Sequence, residues 1–314
     1  MYFIVFTLFI GILWFFDGKR QPISVKGGVS SNFKRIVLSL DSIKMTPKAF
    51  NYSLSAGLGK GASLAFLSFI KREREKRSLP KLALIIDDFG YDSGIANKFI
   101  SLPYKLTLSV LPFLKWSSFV SEKAHLHGKE VLLHLPMQAY GHSVGPNVIS
   151  IGMSLREIRS IVDRSLSSVS HAVGVNNHMG SMATANRVLM KKVMKVLSER
   201  GLFFIDSYTT PDTVAYHVAL EMGLPCFYNS LFIDNYSVED KVEEYLLRLL
   251  HMAKKRRLTI GIGHARVGTL NVLEKLLPVI SKQVEVVFAS EIVYHRGEVF
   301  KDERYSHSRY AMGR

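Results

Sequence analysis

The sequence predicts an α/β fold whose parallel sheet curves into a barrel, and three observations carry the prediction. Short apolar runs rich in Ile, Val, Leu and Phe recur along the 314-residue chain, and each stops on a carboxylate or a histidine. Stretches with helical apolar spacing lie between them, the pattern of buried parallel strands joined by crossover helices. No GxGxxG turn, P-loop or 20 to 50 residue repeat is present, which favours one barrel-like domain over a dinucleotide-binding fold.

Taken in order, residues 1–16 (MYFIVFTLFIGILWFF) are apolar throughout except for Thr7 and Gly11. The run is slightly short of the about 20 residues of a standard span and reads as a hydrophobic membrane anchor or signal segment. No basic residue precedes it, no small-x-small cleavage site follows it, and Lys19 and Arg20 come next, so anchoring and export to the periplasm are both open, as is the orientation. Residues 17–80 are rich in Ser, Gly and Lys, end on KREREKR, and read as a linker. Strands are expected at 82–86, 105–110, 130–134, 172–176, 202–206, 231–233, 258–263 and 284–288. Ser154 and Glu157 form a capping box that opens a helix, Gly201 stops a second built on Val188 to Leu197, and Val242, Tyr245, Leu246, Leu249 and Leu250 make the one-sided stripe of a third. The folded domain is expected to span 81–293, with a polar, basic tail over 294–314.

Composition narrows the function. The formal charge is +15, but the basic clusters bracket helices, the linker and the tail without an aromatic-interleaved stripe, so nucleic-acid binding is not expected. They suit helix C-termini or an anionic envelope surface. The single cysteine, Cys226, excludes an internal disulfide and a cysteine zinc site.

Chemistry concentrates at the ends of the apolar runs. LALIID ends in the pair Asp87 and Asp88, EVLLH in His134, VGVNNH in His178, LFFID in Asp206, LFID in Asp234 and TIGIGH in His264. In a parallel sheet those ends share one face, where β/α folds place their active sites. Successive strand residues point to opposite sides, so Asp87 and Asp88 are not both expected inward; one could hold a cation while the other takes a proton, or Asp88 could merely cap the turn before Gly90. Three histidines at equivalent strand ends, with carboxylates beside them, make a ligand set for zinc, nickel or cobalt. Asn176, Asn177 and Ser181 offer amides and a hydroxyl for orienting ligands or holding a polar substrate, and Gln138 and Asp234 join them as candidate substrate-binding residues. No GxSxG elbow supports a serine hydrolase.

With LALIIDDFGYD, EVLLHLPMQ, GVNNHMGSMAT, RGLFFIDSYTT, LFIDN and IGIGHAR in this order, the chain resembles the divergent polysaccharide deacetylase family, a relative of the NodB-type carbohydrate esterases. The resemblance implies a distorted (β/α)7-type, NodB-like barrel and metal-dependent removal of N-acetyl groups from an envelope polysaccharide or peptidoglycan, with zinc as the expected divalent metal. It assigns Asp87 as catalytic base, Asp88 as metal-binding aspartate, His264 as general acid, and Asp206 as the buried aspartate orienting that histidine or the metal shell. His134 falls where the first histidine of an HxxxH segment would lie. Gln138 stands in place of the second, so either His178 completes the site or metal binding is weakened. Two further readings remain: a carbohydrate-binding or envelope scaffold protein on the same fold, and a hydrolase for a different amide or ester.

Overall fold

The computed structural model describes residues 79–236 and 238–302. The apolar run 1–16, all but the end of the expected linker and residues 303–314 lie outside the described residues. Among the described residues no helix is long and apolar enough to cross a membrane.

Strands and helices alternate along the chain. The strands are β1 (Lys81–Phe89), β2 (Thr107–Val110), β3 (Glu130–Met137), β4 (Ala172–Met179), β5 (Phe203–Asp206), β6 (Cys226–Tyr228), β7 (Leu231–Phe232), β8 (Leu258–His264) and β9 (Glu285–Val287). The helices are α1 (Ser93–Ser101), α2 (Ser117–Leu126), α3 (Leu155–Ser168), α4 (Arg187–Ser198), α5 (Ala215–Glu221), α6 (Glu239–Arg256), α7 (Val267–Ile280) and α8 (Ala289–Asp302). All eight expected strands form, and the one not expected is β6. The Ser154–Glu157 capping box opens α3 as anticipated, and Gly201, at φ +65°, follows the end of α4. The expected tail is helical through Asp302, since Ile292 and Val293 continue an apolar face into the barrel.

Every strand pairing is parallel, in the order β6-β5-β4-β3-β2-β1-β8-β7. The two end strands of that order are only two residues apart in sequence. Cys226 to Phe232 is therefore one extended segment that pairs first with β5 and then with β8. Asn229 N–H donates to Asp206 O at 2.8 Å and Ser230 N–H to Ile260 O at 2.8 Å, so this segment stitches the two edges together. Counted as one stave, β6 and β7 give the sevenfold barrel wall, and β9 lies along the start of β1.

The core has two layers. Leu82, Leu84 and Ile86 of β1 face the helices, while Ala83 and Ile85 face the barrel interior with Leu132, Phe203, Ile205, Ile260 and Ile262. At the floor, α8 plugs the barrel. The Ser290 N–H donates to the buried Glu130 at 3.2 Å and the Ala289 N–H to Thr107 Oγ1 at 3.1 Å, which places a carboxyl at a helix N-terminus.

Gly174 of β4 faces the interior, where a Cβ would lie 2.5 Å from the fully buried ring of Phe203. We expect Gly174→Ala to destabilise the fold by about 1–3 kcal/mol through overpacking. Urea unfolding of the two proteins is the test, and equal midpoints would contradict this packing.

Candidate active site

The site lies at the C-terminal ends of the strands, on the interior face. Asp87 continues the row Ala83, Ile85; His134 continues Leu132; Asn176 and His178 continue Gly174; His264 continues Ile260 and Ile262. Asp88 belongs by parity to the helix side. Its backbone at φ +66° and a register shift between Ile86 and Phe89 turn it inward, so both aspartates reach the site.

Asp88, His134 and His178 converge. His178 Nδ1 is 3.2 Å from Asp88 Oδ1 and 3.1 Å from His134 Nε2, and His134 Nε2 is 3.4 Å from Asp88 Oδ1. Asp88 Oδ1 is buried and has no partner of good hydrogen-bond geometry beyond these two close imidazole nitrogens. Three lone-pair atoms gathered around one point are what a small divalent cation needs. Bonds of about 2.0–2.1 Å imply ligand separations of roughly 3.3–3.4 Å in a tetrahedron and roughly 2.8–3.0 Å in an octahedron, and the observed 3.1, 3.2 and 3.4 Å fall within that span. The residues present therefore fit a metal, and these three would hold it.

Asn176, fully buried, organises the rest. Its Oδ1 accepts from His134 Nδ1 at 3.0 Å and from Ser109 Oγ at 2.5 Å, while its Nδ2 donates to Asp87 Oδ1 at 2.9 Å and Ser207 Oγ at 3.3 Å. An acceptor at Nδ1 fixes the His134 tautomer with its proton there, leaving Nε2 free to coordinate. The same amide locks Asp87, whose other oxygen lies 3.6 Å from His134 Nε2.

Electrostatics separate the two aspartates. Burial pushes the Asp87 carboxyl up, with the charges of His134 and His264 only partly offsetting it. Burial also opposes ionisation of Asp88, but the close imidazoles of His134 and His178 outweigh it and hold this carboxyl below the usual range. Burial would depress His134, yet Asp87 and Asp88 raise it.

His264 stands beside Asp87, its Cα partner across β8 and β1. Its Nδ1–H donates to Asp234 Oδ1 at 2.7 Å and its backbone N–H to Asp234 Oδ2 at 2.6 Å, an oxygen that also accepts from Thr269 Oγ1 at 2.6 Å. Burial would lower His264, but Asp234 holds it above the ordinary imidazole value. A cleft of about 200 Å³ lined by Asp88, Tyr91, Asp92, His264 and Arg266 meets the site at Asp88 and His264.

Several expected roles change. Asp206 does not orient His264: it accepts from Tyr208 N at 2.9 Å, Thr213 Oγ1 at 2.8 Å and Tyr216 N at 3.2 Å, and so shapes the loop after β5. Asp234, expected at the substrate, orients the histidine instead. Gln138 takes no part in the ligand cluster, because its Oε1 accepts from Ile151 N at 2.9 Å. Asn177 bridges Met179 O and Ser207 N, and Ser181 Oγ accepts from Tyr140 N, so both brace loops. Asn176 holds His134 and Asp87 rather than a substrate. Ser109 was not anticipated; a lone serine inside an apolar strand is the signal that could have shown it.

Fold and site define a β/α-barrel protein with a histidine and carboxylate centre at the mouth of the barrel. The sequence profile described as divergent polysaccharide deacetylase matches residues 84–293, and the chain belongs to that family. It is 34% identical over 214 residues to the protein YibQ of Escherichia coli K12, across 68% of this chain and 67% of that protein. An uncharacterized protein of Haemophilus influenzae is 31% identical over 208 residues, across 66% of this chain and 74% of its own length. Among solved structures, the uncharacterized protein ATU2773 of Agrobacterium tumefaciens C58 superposes with a TM-score of 0.65 at 21% identity, over 68% of this chain and 89% of that one, which supports the fold.

Two outcomes follow from these contacts. Asn176→Leu is expected to weaken Zn(II) affinity by about 10- to 100-fold in a chelator competition, because His134 loses the partner that fixes its tautomer; unchanged affinity would remove Asn176 from the site. Asp234→Asn is expected to lower the His264 pKa read by NMR titration. The raised His264 stabilises the fold below about pH 6.5 and loses that effect as pH rises through its folded pKa, while Asp234, held low by His264 and Thr269 against burial, contributes above about pH 4. The stability gap between parent and variant should therefore be widest between those values and narrow on either side.

Proposed function

We propose that the protein is a metal-dependent hydrolase that removes N-acetyl groups from an envelope polysaccharide or peptidoglycan, with zinc as its metal. The observation that carries this reading is the convergence of Asp88 Oδ1, His134 Nε2 and His178 Nδ1 beside a buried carboxylate and an aspartate-held histidine. Two imidazoles and one carboxylate form a zinc-type donor set with a coordination position left open. When bound, the metal polarises the amide carbonyl and lowers the pKa of water.

The chain's own groups perform the proton transfers. Asp87, made more basic by burial and fixed by Asn176, accepts the proton of the attacking water. His264, held above the ordinary imidazole value by Asp234, donates to the amine nitrogen as the carbon–nitrogen bond breaks, giving acetate and a free amine. Membership of the divergent polysaccharide deacetylase family supports the substrate class, and the apolar run 1–16 is in keeping with work at the cell envelope. A scaffold reading rested on Gln138 standing where a ligand histidine is expected. His178, 3.2 Å from Asp88, supplies the missing imidazole and favours catalysis.

The test is acetate release from acetylated peptidoglycan by the zinc-reconstituted full chain. Asp87→Asn is expected to lower kcat about 10²- to 10⁴-fold at unchanged metal content, and a His134→Ala, His178→Ala variant to lose both metal and activity. A parent chain that takes up no stoichiometric metal, or an Asp87→Asn protein with full activity, would defeat the proposal.

A further inference from the structure

The cleft that meets the site at Asp88 and His264 runs between the loop after β1 and the loop after β8, and Arg266 forms part of its wall. It holds about 200 Å³, below the roughly 300–1,000 Å³ typical of small-molecule sites. It has room for an acyl group and a small substituent close to it.

Arg266 takes no part in the proton transfers, yet it is tied to the residues that carry one of them. Its backbone N–H donates to His264 O at 2.7 Å, and its Nη1 donates at 3.0 Å to the main-chain oxygen of Asp234, the residue whose carboxylate holds His264. That bond uses a single N–H, which a lysine or a glutamine could also supply. The other N–H groups of the guanidinium have no partner among the described residues.

Nor does a carboxylate of the chain answer its charge. Among the described residues none lies at ion-pair distance from Arg266, whereas Arg159, Arg187 and Arg200 each have one. The acids around the cleft are committed elsewhere: Asp87 to Asn176, Asp88 to two imidazoles, Asp92 to the Gly94 and Ile95 N–H groups that open α1, and Asp234 to His264 and Thr269. Helix α7, which starts directly after Arg266, has no acid in its first turn. A guanidinium anchored by one N–H and facing a cleft without an acid of its own offers its free edge to a planar anion, the geometry of a carboxylate.

Resting on the hydrolase reading, we propose that Arg266 is a specificity-determining residue that binds a carboxylate of the reacting sugar, so that the substrate is an acidic N-acetyl sugar and not a neutral one. The size of the cleft puts that carboxylate near the acetamido group, on a substituent of the neighbouring ring carbon. In peptidoglycan the unit of this description is N-acetylmuramic acid with its lactyl carboxylate free. The ion pair lies outside the bond that breaks and holds the acetamido group over Asp87 and His264.

The experiment titrates N-acetylmuramic acid, its lactyl methylamide and N-acetylglucosamine into the full chain in detergent at about pH 7, where the carboxylate is ionised. The metal is chelated, which removes it as an alternative partner for the carboxylate. The parent should bind the acid about tenfold or more tighter than the methylamide, and Arg266→Gln should bring the two to within about twofold of each other. Arg266→Lys, which keeps the charge and loses the fork, should retain part of the preference. A merely structural arginine would lower all three affinities together and leave their ratios unchanged, so the ratio decides even where a variant folds less well. Equal affinity of the parent for acid and methylamide, or a preference that survives Arg266→Gln, would overturn the proposal. Acetate release by the zinc-loaded chain separates the two readings: preference for the acid without release defeats only the hydrolase, and equal release from acid and methylamide defeats only the role of Arg266.

Discussion

The two-residue period of a strand inside a closed wall is the constraint on which the rest of this structure depends. The rows Ala83, Ile85, Asp87 and Ile260, Ile262, His264 pack the barrel with their lower members and supply its chemistry with their upper ones. Fold and site thus share one register. A slip of one residue would send Asp87, His134 and His264 among the helices and bring Leu84 and Leu133 inside. Asp88 is the exception that needs a special backbone, and its left-handed φ is local strain that the surrounding pairings of β1 on both edges hold in place.

Asn176 shows how a neutral residue can govern charged ones. One amide presents its oxygen to His134 and its nitrogen to Asp87, so the imidazole is steered toward coordination and the carboxylate toward proton uptake. A carboxylate in its place would repel Asp87, and an alkyl chain would take a partner from four buried polar groups, on His134, Asp87, Ser109 and Ser207. The functional division between Asp87 and Asp88 comes from the same crowding: one meets mainly desolvation, the other meets two imidazoles.

The strand ends were legible because a buried parallel strand turns polar near where it emerges, and LALIID and TIGIGH mark that point, while EVLLH stops at His134 three residues before β3 ends at Met137. Strand β6 was not, since Cys226–Tyr228 is three residues between Pro225 and Asn229 and forms no run. The confusion between Asp206 and Asp234 has a topological origin. Both close an apolar run ending in Ile-Asp, and only the pairing order reveals that Asp234 follows the neighbour of β8 while Asp206 ends β5, beyond the seam. Likewise Asn176 and Asn177 read alike in sequence, but alternation sends one to the histidine and the other to a backbone brace.

The β1 strand also sets a schedule for the molecule's birth. Its first residues wait for β9, and the Lys81 to Glu285 ion pair spans 204 residues. At synthesis rates of about 5–20 residues per second, β1 leaves the ribosome roughly 10–40 s before its last neighbour exists. Through that interval the nascent chain carries an apolar strand with one edge unmatched and the barrel floor unplugged, because the helix that meets Glu130 and Thr107 emerges last of the described elements. Completion of the wall is therefore a late, long-range event, and the edge of β1 is open to pairing with other chains until β9 and α8 have been made.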